Sequence, residues 1–232
     1  MYWPYFNPTY FMFALPALLL GLWAQWKVRS AYGKYARVAN RSGLAGFEVA
    51  QRLLASNGLT DVSLNETRGE LTDHYDPRQR ALHLSTGVGR TASVASMGIV
   101  AHEVGHALQH HSHYMPLKLR SALVPVVQIG SWLGPIVFML GMVLSVYDLS
   151  VIGVVLFAGT LLFSLVTLPV ELDASRRAMV MLERSGLVSP IEQQGARAVL
   201  NAAALTYVAA VIQSLSTLLY YVFLLGGSRR RR

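Results

Sequence analysis

The sequence predicts a mainly α membrane protein with about four transmembrane helices and one small α+β domain. Mean hydropathy is +0.39, and only 14% of the 232 residues are charged, against about a quarter in a soluble domain. The apolar residues gather into runs long enough to cross a bilayer, which takes about 20 residues per helix. Residues 27–120 instead mix charges and turn signals with both helical and alternating apolar patterns, as a small α+β domain does.

The first apolar run covers about residues 10–26, with Tyr2, Trp3, Tyr5 and Tyr10 on one side and Trp23 and Trp26 on the other. Aromatic residues favour the headgroup level at both ends of a span. No basic residue precedes the run, and Ala24-Gln25-Trp26 is a poor cleavage site, so residues 1–26 are expected to be an uncleaved membrane anchor.

In the polar segment 27–120, Phe47, Ala50, Leu53 and Leu54 predict an amphipathic helix stopped at Asn57-Gly58. Val62 and Leu64 alternate with polar neighbours and predict a strand. The segments Leu71-Thr72-Asp73-His74-Tyr75 and Arg80-Ala81-Leu82-His83-Leu84 flank Asp76-Pro77-Arg78-Gln79 and predict a hairpin. Val94, Met97, Val100, Ala101, Val104, Ala107 and Leu108 recur at helical spacing, so a helix is expected over about 92–113, with Thr91 as its N-cap.

Residues 121–170 carry no charge except Asp148. That length fits two spanning helices, with a tight turn expected at Tyr147-Asp148. Gly130 and Gly134 are spaced for close helix packing. Residues 171–202 are polar again and predict a helix from Glu171 to Ser185, a turn at Gly186 and a helix opening at Pro190. Residues 203–232 hold a last apolar span, about 203–225, and a tail of four arginines at 229–232.

Chemistry enters at His102-Glu103-Val104-Gly105-His106. On a helix, histidines four apart project from one face and can share one Zn²⁺, with the intervening glutamate placed to activate a water. The motif thus predicts a zincin-like metallopeptidase domain, with Glu103 as general base and one Zn²⁺ per chain. A Gly at 105 in mid-helix is unfavourable by up to about 1 kcal/mol and predicts close approach of another element. A catalytic zinc takes three protein ligands. His110, at i+4 from His106, lies too far along the same helix to share the ion with both histidines: three successive i+4 positions span about 12 Å. Glu171, just past an apolar span, is the expected third ligand.

The chain has no cysteine, which excludes disulfides, thiolate ligands and a cysteine nucleophile. The net charge of +8 comes from basic residues clustered beside the apolar runs. This placement points to anionic lipid headgroups and topology control, with no nucleic-acid pattern. Sixteen of the 20 Lys and Arg lie in 27–120 and 171–202, which places those segments in the cytoplasm. Four crossings then place the arginine tail outside, against the same rule.

Three stretches, together with a fourth, carry a resemblance. They are Leu71 to Arg78, Ala101-His102-Glu103-Val104-Gly105-His106-Ala107-Leu108-Gln109-His110, and Pro169-Val170-Glu171-Leu172-Asp173-Ala174-Ser175-Arg176-Arg177-Ala178. With Leu200 to Ala209 they resemble the bacterial YugP-type neutral zinc metallopeptidases, distant relatives of the HtpX and CAAX-prenyl-protease membrane peptidases. The resemblance spans nearly the whole chain. It implies a gluzincin-like site with zinc on His102, His106 and Glu171, Glu103 as base, and a place in the bacterial cell (inner) membrane. The HtpX-type pattern has Asp four residues after the ligand glutamate. Here that position holds Ser175, with Asp173 two residues after Glu171, so both are candidates for holding ligand side chains in place.

The expected activity is endopeptidase cleavage of membrane or membrane-associated proteins near the cytoplasmic face. His74, Tyr75, His110 and Tyr207 are the candidates for oxyanion or substrate contacts, and the hairpin could hold substrate as an added strand. Expected partners are membrane lipids and a peptide or membrane-protein substrate; a homo-oligomer and a separate membrane partner both remain open. A zinc-stabilised scaffold without enzymatic activity competes with this reading, but a scaffold has no need of Glu103. A metal transporter would place charged or His residues inside the spans, and residues 122–146 and 149–170 hold none.

Overall fold

The computed structural model describes residues 8–229. Tyr2, Trp3, Tyr5 and the last three arginines of the tail lie outside the described residues. In order, the elements are α1 (Pro8–Tyr35), α2 (Gly46–Ser56), β1 (Ser63–Thr67), β2 (His74–Asp76), β3 (Ala81–Ser85), α3 (Thr86–Gly89), α4 (Val94–His111), α5 (Met115–Val143), α6 (Tyr147–Ser185) and α7 (Pro190–Arg229). The protein is a mainly α membrane protein with a small α+β part, and α1, α5, α6 and α7 are long and apolar enough to cross a membrane.

Two compact units divide the chain. One takes the described parts of Met1–Ala24, Leu119–Leu168 and Thr206–Arg232. It is a helical bundle held by close backbone approaches. A Cβ added at Gly130 would stand 2.8 Å from the Leu156 carbonyl oxygen, and one at Gly134 would stand 2.9 Å from Phe157 N. The two glycines therefore let α5 and α6 meet backbone to backbone, as their spacing predicts. Tyr10 packs edge-on against Tyr220 at 5.4 Å, and Tyr221 stacks on Phe138 at 4.2 Å. The α5–α6 turn falls at residues 144–146, with Ser145 at φ 57°. That is slightly earlier than the expected turn at Tyr147-Asp148. Asp148 instead sits in the first turn of α6, where the helix dipole favours an acid.

The other unit takes Gln25–Lys118 and Pro169–Leu205. Its sheet has the order β1-β3-β2, with β1 parallel and β2 antiparallel to the central β3. The β2–β3 connection is the predicted turn: Asp76 Oδ1 accepts from Arg78 N at 2.7 Å and from Gln79 N at 3.4 Å. Strand β3 is more buried than simple alternation implies, since only His83 is partly open. Ser85, at its end, donates its N–H to Asp73 Oδ1 at 2.7 Å. Helix α2 ends at Asn57-Gly58 as predicted: Gly58 has φ 71°, and Asn57 Nδ2 donates back to the Leu53 carbonyl at 2.8 Å. Leu53, Leu82, Leu84, Val88, Met97, Val100, Val104 and Leu182 form the core of this unit, all with negligible exposure.

Further departures from the sequence expectation concern the start of α4 and the lengths of α6 and α7. The N-cap of α4 is Ser93, whose Oγ accepts from Ser96 N at 3.1 Å. Thr91 cannot hold that place, because a bridge between Ala39 and Ser93 keeps the chain extended there. Asn40 N donates to the Ala92 carbonyl at 3.1 Å, and Val94 N donates to the Val38 carbonyl at 2.9 Å. Second, residues 171–185 and the last apolar span are not separate helices. α6 runs unbroken over 39 residues with Pro169 inside it, and α7 runs over 40. No glycine stands at the composition changes near 171 and 203, and Thr167, Asp173 and Asn201 lie inside the helices instead of capping them, so composition shifts while the helix continues.

Candidate metal centre

α4 presents His102 and His106 one turn apart, with their rings edge to face at 4.7 Å. Gly105 lies between them on the sequence and faces α6. A Cβ built on it would stand 2.6 Å from the Ala174 carbonyl oxygen and 3.2 Å from its carbon, so any side chain here would push the two helices apart. The mid-helix glycine thus has the packing reason its sequence position predicts.

That close approach brings Glu171, almost fully buried, against both histidines. Its Oε2 stands 3.2 Å from His102 Nε2 and 3.4 Å from His106 Nε2. The three donor atoms lie within 4.8 Å of one another and form a group that could hold a metal ion. The fit to zinc can be tested on this geometry. Two atoms bound at about 2.0–2.2 Å to a tetrahedral ion stand about 3.3 Å apart, close to both separations seen here. Two imidazole nitrogens and one carboxylate oxygen are a donor set Zn²⁺ accepts, with a fourth position left over.

The outer ring nitrogens are also held. His102 Nδ1 is 3.1 Å from Ser175 Oγ, and His106 Nδ1 is 3.0 Å from Gln109 Oε1. Asp173 does not touch either histidine. It accepts instead from Gln109 Nε2 at 3.0 Å and pairs with Arg176 and Arg177.

Glu103 is buried beside the two histidines. Burial pushes its carboxyl up, Glu171 and Asp73 add to that, and the neighbouring His102 and His106 pull it back. A carboxyl raised in this way suits a group that must both take and give a proton. Burial lowers the His106 imidazole, but hydrogen bonding to Glu171 and the charges of Glu103 and Glu171 outweigh it and leave it raised.

The residues expected at the substrate fall into three groups. Tyr75 and His110 meet: the phenol oxygen is 2.8 Å from His110 Nδ1. Both line a cavity of about 420 Å³ together with Ala107, Asp61 and Arg80. Burial raises the Tyr75 phenol, and burial with the charge of Arg80 lowers the His110 imidazole. His74 is engaged elsewhere, stacked on His83 at 4.6 Å and donating from Nδ1 to the Thr72 carbonyl at 2.8 Å. Tyr207 belongs to the apolar unit.

Sequence reasoning missed Gln109. Its side chain is entirely buried and makes three hydrogen bonds. The available signal was its place three residues after His106, on the same helical face.

Residues 10–226 match the model of a family described as "Putative neutral zinc metallopeptidase". The "Putative membrane protease YugP" of Bacillus subtilis (strain 168) is 44% identical over 215 residues, covering 93% of this chain and 96% of its own length. No solved structure matches.

Proposed function

The chain belongs to the neutral zinc metallopeptidase family, and from that premise we propose that it is a membrane-embedded endopeptidase in which His102, His106 and Glu171 hold one Zn²⁺. The observation that carries this reading is the convergence of two Nε2 atoms on one buried carboxylate oxygen, at 3.2 and 3.4 Å, beside the buried Glu103.

Zinc bound there would acidify a water and polarise the scissile carbonyl. The rest of the work falls to side chains of this chain. Ser175 and Gln109 hold the rings of His102 and His106 so that both Nε2 atoms face Glu171. Glu103 takes a proton from the attacking water and returns it to the leaving amine nitrogen. Tyr75 and His110 contact substrate; their pairing at the wall of a cavity that also takes in Ala107, next to His106 on α4, supports this, whereas His74 is committed to Thr72 and His83.

The substrate class is membrane or membrane-associated protein, cut near the cytoplasmic face. Four helices suited to crossing a membrane support this, as do the sixteen Lys and Arg in the polar segments. The test compares membrane proteomes of cells carrying the wild type and Glu103→Gln. Fragments present only with the wild type support the peptidase. Identical proteomes from two equally zinc-loaded proteins favour the zinc-stabilised scaffold instead.

A further inference from the structure

Gln109 lies in the α4–α6 contact with no exposure, and it has more hydrogen-bonding order than a core amide needs. Its Nε2 donates to the Val170 carbonyl at 2.8 Å and to Asp173 Oδ2 at 3.0 Å. Both partners can only accept. The amide therefore has a single orientation: reversing it would set Oε1 against a carbonyl oxygen and a carboxylate, unsolvated. Oε1 must face His106 Nδ1, 3.0 Å away. An amide oxygen cannot donate, so His106 carries its proton on Nδ1 and keeps the lone pair on Nε2. That Nε2 is the atom facing Glu171.

Asp173 is fixed in turn. Arg176 binds one carboxylate oxygen at 2.5 Å, and Arg177 binds the other through Nε at 2.6 Å. The Arg177 guanidinium also lies over the Tyr114 ring at 5.5 Å, which limits its own movement. The order therefore runs in one direction, from two guanidiniums through a carboxylate and an amide to one imidazole.

We infer that Gln109 and Asp173 form a positioning relay that sets the tautomer and ring orientation of His106 for metal binding. It rests on the reading of His106 as a zinc ligand. The relay differs from the common arrangement in which a carboxylate meets the ligand histidine directly. Here a neutral amide stands between them and turns an acceptor-only carboxylate into an oriented acceptor for the imidazole N–H.

The test is zinc affinity by chelator competition on the full chain in detergent. Gln109→Leu removes the acceptor, and Gln109→Glu sets a second carboxylate against Asp173. Each is expected to weaken zinc binding by about 10–100-fold, as loss of a partner behind a ligand histidine does. The exchanged pair Gln109→Glu with Asp173→Asn swaps amide and carboxylate, so the new carboxylate accepts from both His106 and Asn. The second oxygen of the new carboxylate still faces the Val170 carbonyl where an amide donor stood, so the pair is expected to recover part of the affinity that Gln109→Glu loses. A role in packing alone predicts no such recovery. Wild-type affinity in a folded Gln109→Leu overturns the relay, as does an exchanged pair no tighter than Gln109→Glu alone. If Gln109→Leu does not fold, the exchanged pair decides. His106→Ala run in parallel separates the two ideas: unchanged zinc binding there removes His106 as a ligand and leaves the relay without an object.

Discussion

Gly105 of α4 lies against the Ala174 carbonyl of α6 so closely that an added Cβ would stand 2.6 Å from its oxygen. The contact is backbone to backbone, so no flexible side chain can give way. It also sits between His102 and His106 on one helix and between Glu171 and Ser175 on the other. Gly105→Ala should therefore separate the helices, costing about 1–3 kcal/mol as overpacking does. Zinc affinity should fall with it, because the donors come from both helices. Melting temperature and chelator competition on the same preparation check both effects. Unchanged affinity would mean that the helices relax without disturbing the ligands.

Glu103→Gln should separate binding from chemistry. Gln is the same size and cannot take a proton from water, while His102, His106 and Glu171 remain. Zinc content by elemental analysis should equal that of the wild type, and peptide cleavage should fall by about 10²–10⁴-fold. Cleavage at the wild-type rate would assign the base elsewhere.

Glu171→Ala should act on the metal first. Glu171 is the sole anionic member of the donor group, and Oε2 is the atom both histidines face. The variant should lose most of its zinc on dialysis, and added zinc should no longer raise its melting temperature. For the wild type, free zinc at 100 times its Kd should stabilise the fold by about 2.7 kcal/mol. Full zinc retention by the variant would remove Glu171 from the site.

The absence of native cysteines allows the topology to be tested with single reporters. Ala55 on α2 and Gly227 near the end of α7 are both exposed. With the polar segments in the cytoplasm and four crossings, Ala55→Cys should react with a membrane-impermeant maleimide only after the cells are permeabilised. Gly227→Cys should react in intact cells. Labelling of Ala55→Cys in intact cells with protection of Gly227→Cys would reverse the orientation. Protection of both would mean that α7 does not cross.

What was legible in the sequence was whatever local pattern decides. The α2 periodicity, the Asn57-Gly58 stop, the turn at Asp76 and the close-packing glycines of α5 all follow from residues within a few positions of one another. The place of Glu171 was legible because an acid directly after an apolar run is unusual. Gln109 was not, because its partners Val170 and Asp173 lie 61 and 64 residues away. Its place three residues after His106 marks the helical face it lies on, but not the burial and the distant partners that fix its role. The unbroken lengths of α6 and α7 were hidden for a different reason: composition changes along each helix, and in α6 Pro169 stands at the change, yet the helix continues.

The start of α4 tests the same distinction by experiment. Thr91 and Ser93 are both good cap residues by type. The bridge from Ala39 selects Ser93, by holding residues 91–93 extended until Val94. Ser93→Ala should cost about 1 kcal/mol, because Ser96 N then loses its acceptor in a buried setting. Thr91 is exposed and makes no cap bond to α4, so Thr91→Ala should change stability by less than about 0.5 kcal/mol. Chemical denaturation of the two variants side by side decides between the caps. A larger loss at Thr91 would mean that α4 starts two residues earlier, with the Ala39 bridge open.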